Sequence, residues 1–188
     1  ALRWDVDAWA GTDRLRAVLR AEGSRTGGDT EENSLELLGW RPLSAWWNGV
    51  AGVRHDNAEG PARTYGALGL EGTLPGQFHL EATAYAGERG QTGLAAKLDF
   101  DVLLTNRLIL TPRLEAEAWG RDDEATGIGN GFSELKAGLR LRYELRRELA
   151  PYAGIEWEGL FGDTADLARA EGGEVRDTRV VAGLRIWF

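Results

Sequence analysis

Residues 93–119 read GLAAKLDFDVLLTNRLILTPRLEAEAW. In the first half Leu94, Ala96, Leu98, Phe100, Val102 and Leu104 alternate with Lys97, Asp99 and Asp101. In the second half Leu108, Leu110, Pro112, Leu114, Ala116 and Ala118 alternate with Arg113, Glu115 and Glu117. A period of two held this long is a strand signal, and the polar TNR break makes the pair a hairpin. With TNR as a three-residue connection, Leu104 faces Leu108; Asp99 then lies opposite Arg113 and Lys97 opposite Glu115. Both strands run past ten residues. Strands of soluble proteins average ~5–6 residues, whereas a tilted membrane strand needs ~9–11.

The same alternation runs almost from end to end. It predicts eleven strands, near 2–10, 14–22, 33–41, 46–55, 63–72, 78–87, 93–104, 107–119, 132–145, 151–160 and 176–188. Their connections alternate. GTD (11–13), RPLSA (41–45), TLPGQ (73–77), TN (105–106) and RRELA (146–150) are short. GSRTGGDTEE (23–32), DNAEGPA (56–62), GERGQT (87–92), RDDEATGIGNG (121–131) and FGDTADLARAEGGEVRD (161–177) are long or polar. Short turns at one end and longer loops at the other are the plan of an outer-membrane barrel, with its apolar face in lipid and its polar face in the lumen. A soluble sandwich gives no reason for such regularity. The fold predicted is therefore all-β: one antiparallel transmembrane β-barrel over 1–188. Bacterial barrels close on an even number of strands, so an upward N-terminal strand is expected beyond residue 1, with about twelve strands in the parent.

Aromatic side chains fit two interfacial girdles. Trp9, Trp40, Trp46, Trp47, Phe78, Tyr152, Trp187 and Phe188 fall beside short turns or at the C-terminus. Trp4, Tyr65, Trp119, Phe132 and Trp157 fall toward the long loops. Composition removes other classes. No run of ~18 apolar residues offers a transmembrane helix, and a net charge of −8 argues against nucleic-acid binding. The chain has no Cys, which excludes disulfides and thiolate metal sites. It has neither an initiating Met nor a signal peptide, so a mature chain or excised domain is expected.

The inward face carries both signs. Asp5, Asp7, Arg16, Lys97, Asp99, Asp101, Arg113, Glu115, Glu117, Arg140, Arg142, Glu156, Glu158 and Arg185 are the expected lumen-lining charges. If GT is a two-residue turn, Asp7 faces Arg16, and Arg140 and Arg142 lie opposite the Glu156–Glu158 region. Each such pair contributes ~0.2–1 kcal/mol, but long paired side chains also fill space, so a constricted lumen is expected. AGVR (51–54), AGLR (137–140) and AGLR (182–185) each set a Gly and an Arg two apart on that face. An inward Gly leaves room for a neighbour's long side chain.

The stretches AGVRHD (51–56), GPARTYGALGLEG (60–72), LLTNRLILTPRLE (103–115), GIGNGFSELKAGLRLRYELRRELAPYAGIEWE (127–158) and FGDTADLARAEGGEVRDTRVVAGLRIWF (161–188) closely resemble the copper resistance protein B family, across essentially the whole chain. The resemblance implies a Gram-negative outer-membrane barrel in copper tolerance, working beside periplasmic copper-handling proteins, with a Met- and His-rich segment ahead of the barrel. Copper ions and outer-membrane lipid are its implied partners; copper enters by resemblance alone. This chain lacks Met and Cys and has two His. The soft ligands that suit Cu(I) are missing, and imidazole and carboxylate suit Cu(II) better.

The candidate metal ligands are His79, Glu81 and His55. His79 faces inward beside Glu81 near the short-turn mouth. His55 sits at the long-loop end on the face of Val53, roughly 20 Å away at ~3.3 Å per residue, so the two cannot share an ion. Wall or rim histidines are the plainer reading of both. A barrel hydrolase would need a nucleophilic Ser, but Ser24, Ser34, Ser44 and Ser133 stand in no G-x-S-x-G setting; the chain reads as non-enzymatic. A diffusion porin would have ~16–18 strands. A structural or partner-tethering barrel is the remaining alternative.

Overall fold

The structure, a computed structural model, describes residues 2–26, 29–57, 61–146 and 148–186. The strands are β1 (Leu2–Thr12), β2 (Leu15–Thr26), β3 (Asp29–Pro42), β4 (Trp47–Asp56), β5 (Arg63–Leu74), β6 (Phe78–Gly87), β7 (Thr92–Phe100), β8 (Val102–Leu103), β9 (Leu108–Trp119), β10 (Gly131–Tyr143), β11 (Leu149–Leu160) and β12 (Arg176–Ile186). All neighbours pair antiparallel in chain order, from β1 round to β12 in a single sheet. The two-residue β8 continues β7 past Asp101, and both pair with β9. Eleven long strands therefore stand as expected. Among the described residues no ladder joins β1 to β12.

The hairpin at 93–119 has the predicted register: Asp99 opposite Arg113 and Lys97 opposite Glu115. The Leu104 N–H donates to the Leu108 carbonyl at 2.9 Å. Alternation in exposure identifies the two faces. On β5, Tyr65 and Ala67 are buried while Leu68 is 69% exposed. Leu37, Val53, Leu94, Leu114 and Ile155 join Leu68 on the outer wall. So many outward aliphatics would be a large unfavourable area in water, and they are what a lipid-facing wall requires.

Three sequence expectations need correction. The turn between β1 and β2 lies at Asp13–Arg14, not at Gly11–Thr12, so Asp7 pairs with Arg20, and Arg16 lies opposite Gly11. The slip is an even number of residues, which keeps every side chain on its expected face. Most of 23–32, expected as a loop, is strand, with Thr26 opposite Asp29; its central residues 27–28 lie outside the described set. The long connection after β11 holds helix α1 (Gly162–Ala170). Ala, Leu and Arg favour it, and Asp163 in the first turn and Arg169 in the last match the helix dipole. Its flanking glycines and high polarity hide the helix in the sequence.

Aromatic placement also differs. Trp47, Phe78 and Phe132 stay on the outer wall as girdle residues; Phe78 packs on Phe100 at 4.6 Å and Phe132 on Phe161 at 5.2 Å. Tyr65 and Trp119 instead turn inward. With Leu38, Val50, Ala67 and Tyr85 they form a buried apolar cluster inside the barrel. Trp9, Trp40 and Tyr152 also face the lumen, where each ring stacks on a guanidinium: Trp9 and Trp40 on Arg16 at 4.5 and 4.6 Å, Tyr152 on Arg140 at 5.3 Å. Trp187 and Phe188 lie outside the described residues.

Candidate functional site

The lumen is the candidate site, and three layers can be traced up it. At the short-turn end His79 is exposed toward the mouth, opposite Asp99 on one side and Thr73 on the other. Its Nδ1 lies 3.4 Å from the Thr73 hydroxyl. Near the same end Arg142 grips Asp101 with two N–H donors, at 2.6 and 3.2 Å, and the Thr111 hydroxyl donates to the same carboxylate at 2.6 Å. Arg142 was expected opposite Glu156–Glu158; its cross-strand neighbour is Tyr152. A shift of at least four residues along β11, again an even number, preserves the face and changes the partner.

The middle layer centres on Arg20 of β2. Its guanidinium bonds to Glu71 of β5 and lies 3.3 Å from Glu81 of β6, 3.8 Å from Glu36 of β3 and 3.7 Å from Asp7 of β1. The Tyr85 hydroxyl donates to Glu36 at 2.8 Å. Elsewhere in this layer Arg113 pairs with Glu115 and approaches Asp5 of β1 at 3.7 Å. Arg140 bonds to Glu156 as expected, its Nε donating at 3.0 Å, while Glu158 bonds to Arg179 of β12. Between these groups lies a cavity of about 130 Å³ lined by Asp5, Glu22, Arg113, Glu115, Lys136 and Glu158, among others. Gly138 faces the Glu156 and Arg113 side chains, as the Gly–Arg spacing predicts.

The upper layer is closed by the connection between β9 and β10. Asp123 accepts two bonds from Arg63 of β5, at 2.7 and 3.0 Å, and one from Gln91 at 2.9 Å. The Arg63 bonds hold the Asp123 carboxyl below the usual carboxylate range. Ile128 packs on the apolar cluster. Further along, the Gly129 N–H donates to the Thr164 hydroxyl of α1 at 2.9 Å. A bulge at Ser133 re-aims β10 toward this contact, and the Ser133 hydroxyl donates to the Gly129 carbonyl at 3.1 Å. The connection is thus a strap held to β5 at one point and to α1 at another.

His55 lies on the outer wall, its Nδ1 2.9 Å from the Thr64 hydroxyl. The structure places His79 and Glu81 on one face and His55 on the other. Among the described residues no group of three or more His, Cys, Asp or Glu side chains is placed to hold a metal ion. Arg20, Glu36, Glu71, Tyr85 and Asp123 are not among the candidate site residues that the sequence offers. Parity puts Arg20 inward, but no local pattern shows which distant strand it reaches.

Comparison with known proteins adds family and fold. The family described as "Copper resistance protein B precursor (CopB)" matches residues 1–188. The chain is 44% identical over 188 residues to the copper resistance protein B homolog of Pseudomonas syringae pv. tomato (strain ATCC BAA-871 / DC3000), covering 100% of this chain and 64% of that protein. It is 43% identical over 185 residues to copper resistance protein B of Escherichia coli, covering 98% and 62%. It thus spans somewhat less than two thirds of the length of these curated relatives. Among solved structures it is similar to the NanC porin in its rhombohedral crystal form, with TM-score 0.65 at 10% identity over 99% of this chain and 92% of that one. The KdgM porin gives 0.57 at 11% identity, over 99% and 91%. Likeness at such identities concerns the β-barrel fold alone.

Proposed function

The chain belongs to the copper resistance protein B family, and from that premise we propose that it serves copper resistance in the outer membrane by passing copper ions along a narrow, charged lumen. The aliphatic outer wall supports membrane insertion. The observation that carries the transport reading is the middle layer, where one guanidinium stands among four carboxylates beside a cavity lined by five carboxylates and three basic side chains. Such a surface attracts cations electrostatically without the preformed ligand cage that would retain one. Its oxygen donors suit Cu(II) over Cu(I). Copper is here the cargo, and periplasmic copper-handling proteins would supply or receive it.

The test is copper entry into proteoliposomes that enclose a copper-sensitive dye. Entry well above that of protein-free vesicles supports conduction. Entry equal to theirs would favour the second reading, a structural or tethering barrel, for which the strap over the long-loop mouth is the supporting feature.

A further inference from the structure

Arg20 does more than pair with a neighbour. β3 and β4 separate β2 from β5 along the wall, yet the Arg20 guanidinium bonds to Glu71 and stands 3.3 Å from Glu81 of β6. The side chain therefore runs through the lumen as a chord. Its side chain is 19% exposed, Glu71's 18% and Glu36's 11%. The Tyr85 hydroxyl fixes Glu36, and Lys97 stands in register with Glu81. Arginine stays protonated under all ordinary conditions, so the guanidinium is a permanent positive charge held among four carboxylates, with Lys97 beside Glu81 and Arg54 beside Glu36 as the basic neighbours on the wall.

We propose that Arg20 sets the ion selectivity of the lumen: a tethered cation that occupies the carboxylate ring, narrows it, and competes with every cation that passes. The inference rests on the reading of the barrel as a conduit. An inorganic cation passing this layer exchanges with the guanidinium for the same oxygens, while an anion meets the surplus carboxylate charge. Removing the guanidinium both widens the layer and deepens the cation well.

The experiment is planar-bilayer recording of the refolded chain in a KCl gradient, with conductance and reversal potential read for each form. Arg20→Ala is expected to raise conductance at least about twofold and to move the reversal potential toward the K⁺ limit. Arg20→Lys, which keeps the charge and loses the forked geometry, is expected to fall between. Because four crowded carboxylates can disfavour folding, Glu71→Gln/Glu81→Gln with Arg20 intact is the companion variant. It is expected to shift the reversal potential toward the Cl⁻ limit. If wild type conducts and all three variants match it in both readings, Arg20 is a structural brace and the proposal fails. If wild type is silent and Arg20→Ala conducts, the tethered cation is the barrier and the proposal stands. If every form is silent, the conduit reading itself fails and takes the proposal with it.

Discussion

Replacing Trp119 by Ala separates an interior aromatic from an interfacial one. Trp119 is 6% exposed, with Tyr65 at 5.2 Å and Tyr85 at 6.3 Å between ring centroids. The ring also fills the space above Gly93, where an added Cβ would come within 2.7 Å of it. Truncating a buried Trp to Ala costs ~3–5 kcal/mol, of which ~0.5–1.5 belongs to each aromatic pair. Trp46, 66% exposed in the turn before β4, serves as the reference and should cost under ~1 kcal/mol. Urea unfolding from vesicles, followed by the heat-modifiable gel mobility of folded barrels, measures both. Gly93→Ala is expected to destabilise by ~1–3 kcal/mol through overpacking and to be much less harmful when Trp119 is already Ala. A Trp119→Ala loss no larger than that of Trp46→Ala, or one that varies with bilayer thickness, would return Trp119 to the lipid girdle and refute the apolar cluster within the lumen.

Three further outcomes follow from the same contacts. Tyr85→Phe removes a buried 2.8 Å bond to Glu36 and should lower stability by ~1–3 kcal/mol, measured in the same unfolding assay. Gly129→Val places a Cβ within 2.2 Å of the Thr164 nitrogen; it should free the strap from α1, seen as trypsin cleavage at Arg121 while the barrel stays protected. The Asp123 carboxyl is held below its ordinary value of 3.8 by Arg63, so the strap's latch is at full strength above that value and is lost as pH falls through the lowered one. Pepsin cleavage within 120–130 should therefore be absent near pH 4.5 and appear only well below pH 3.8; cleavage already at pH 4.5 would contradict the latch.

Strand identity and face were legible because a two-residue period survives any even slip in register. The hairpin at 93–119 came out in full, since TNR leaves a single connection that pairs Asp99 with Arg113. The β1–β2 turn did not, because Gly11-Thr12 and Asp13-Arg14 both read as turns and differ by two residues. Arg140 lies opposite Gly154 and reaches Glu156 of the expected region diagonally, while Arg142 finds Asp101 across 41 residues of sequence. Which distant strand an inward side chain touches depends on barrel curvature, and that is absent from local pattern. Tyr65 and Trp119 read as girdle residues from their place along the strand, although parity already sets Trp119 on the lumenal face of Arg113, Glu115 and Glu117. The strap escaped notice because Asp123 and Arg63 are 60 residues apart. The metal candidates were legible only as residue types.

The central claim is that this barrel passes copper and does not store it, and titration calorimetry of the refolded chain tests it most directly. Cu(II) and Zn(II) are titrated into wild type and into His79→Ala/Glu81→Ala. The account predicts weak binding of both ions, little changed by the double variant. Tight, copper-selective binding that disappears with His79 and Glu81 would contradict it and place a resident copper site at the short-turn mouth.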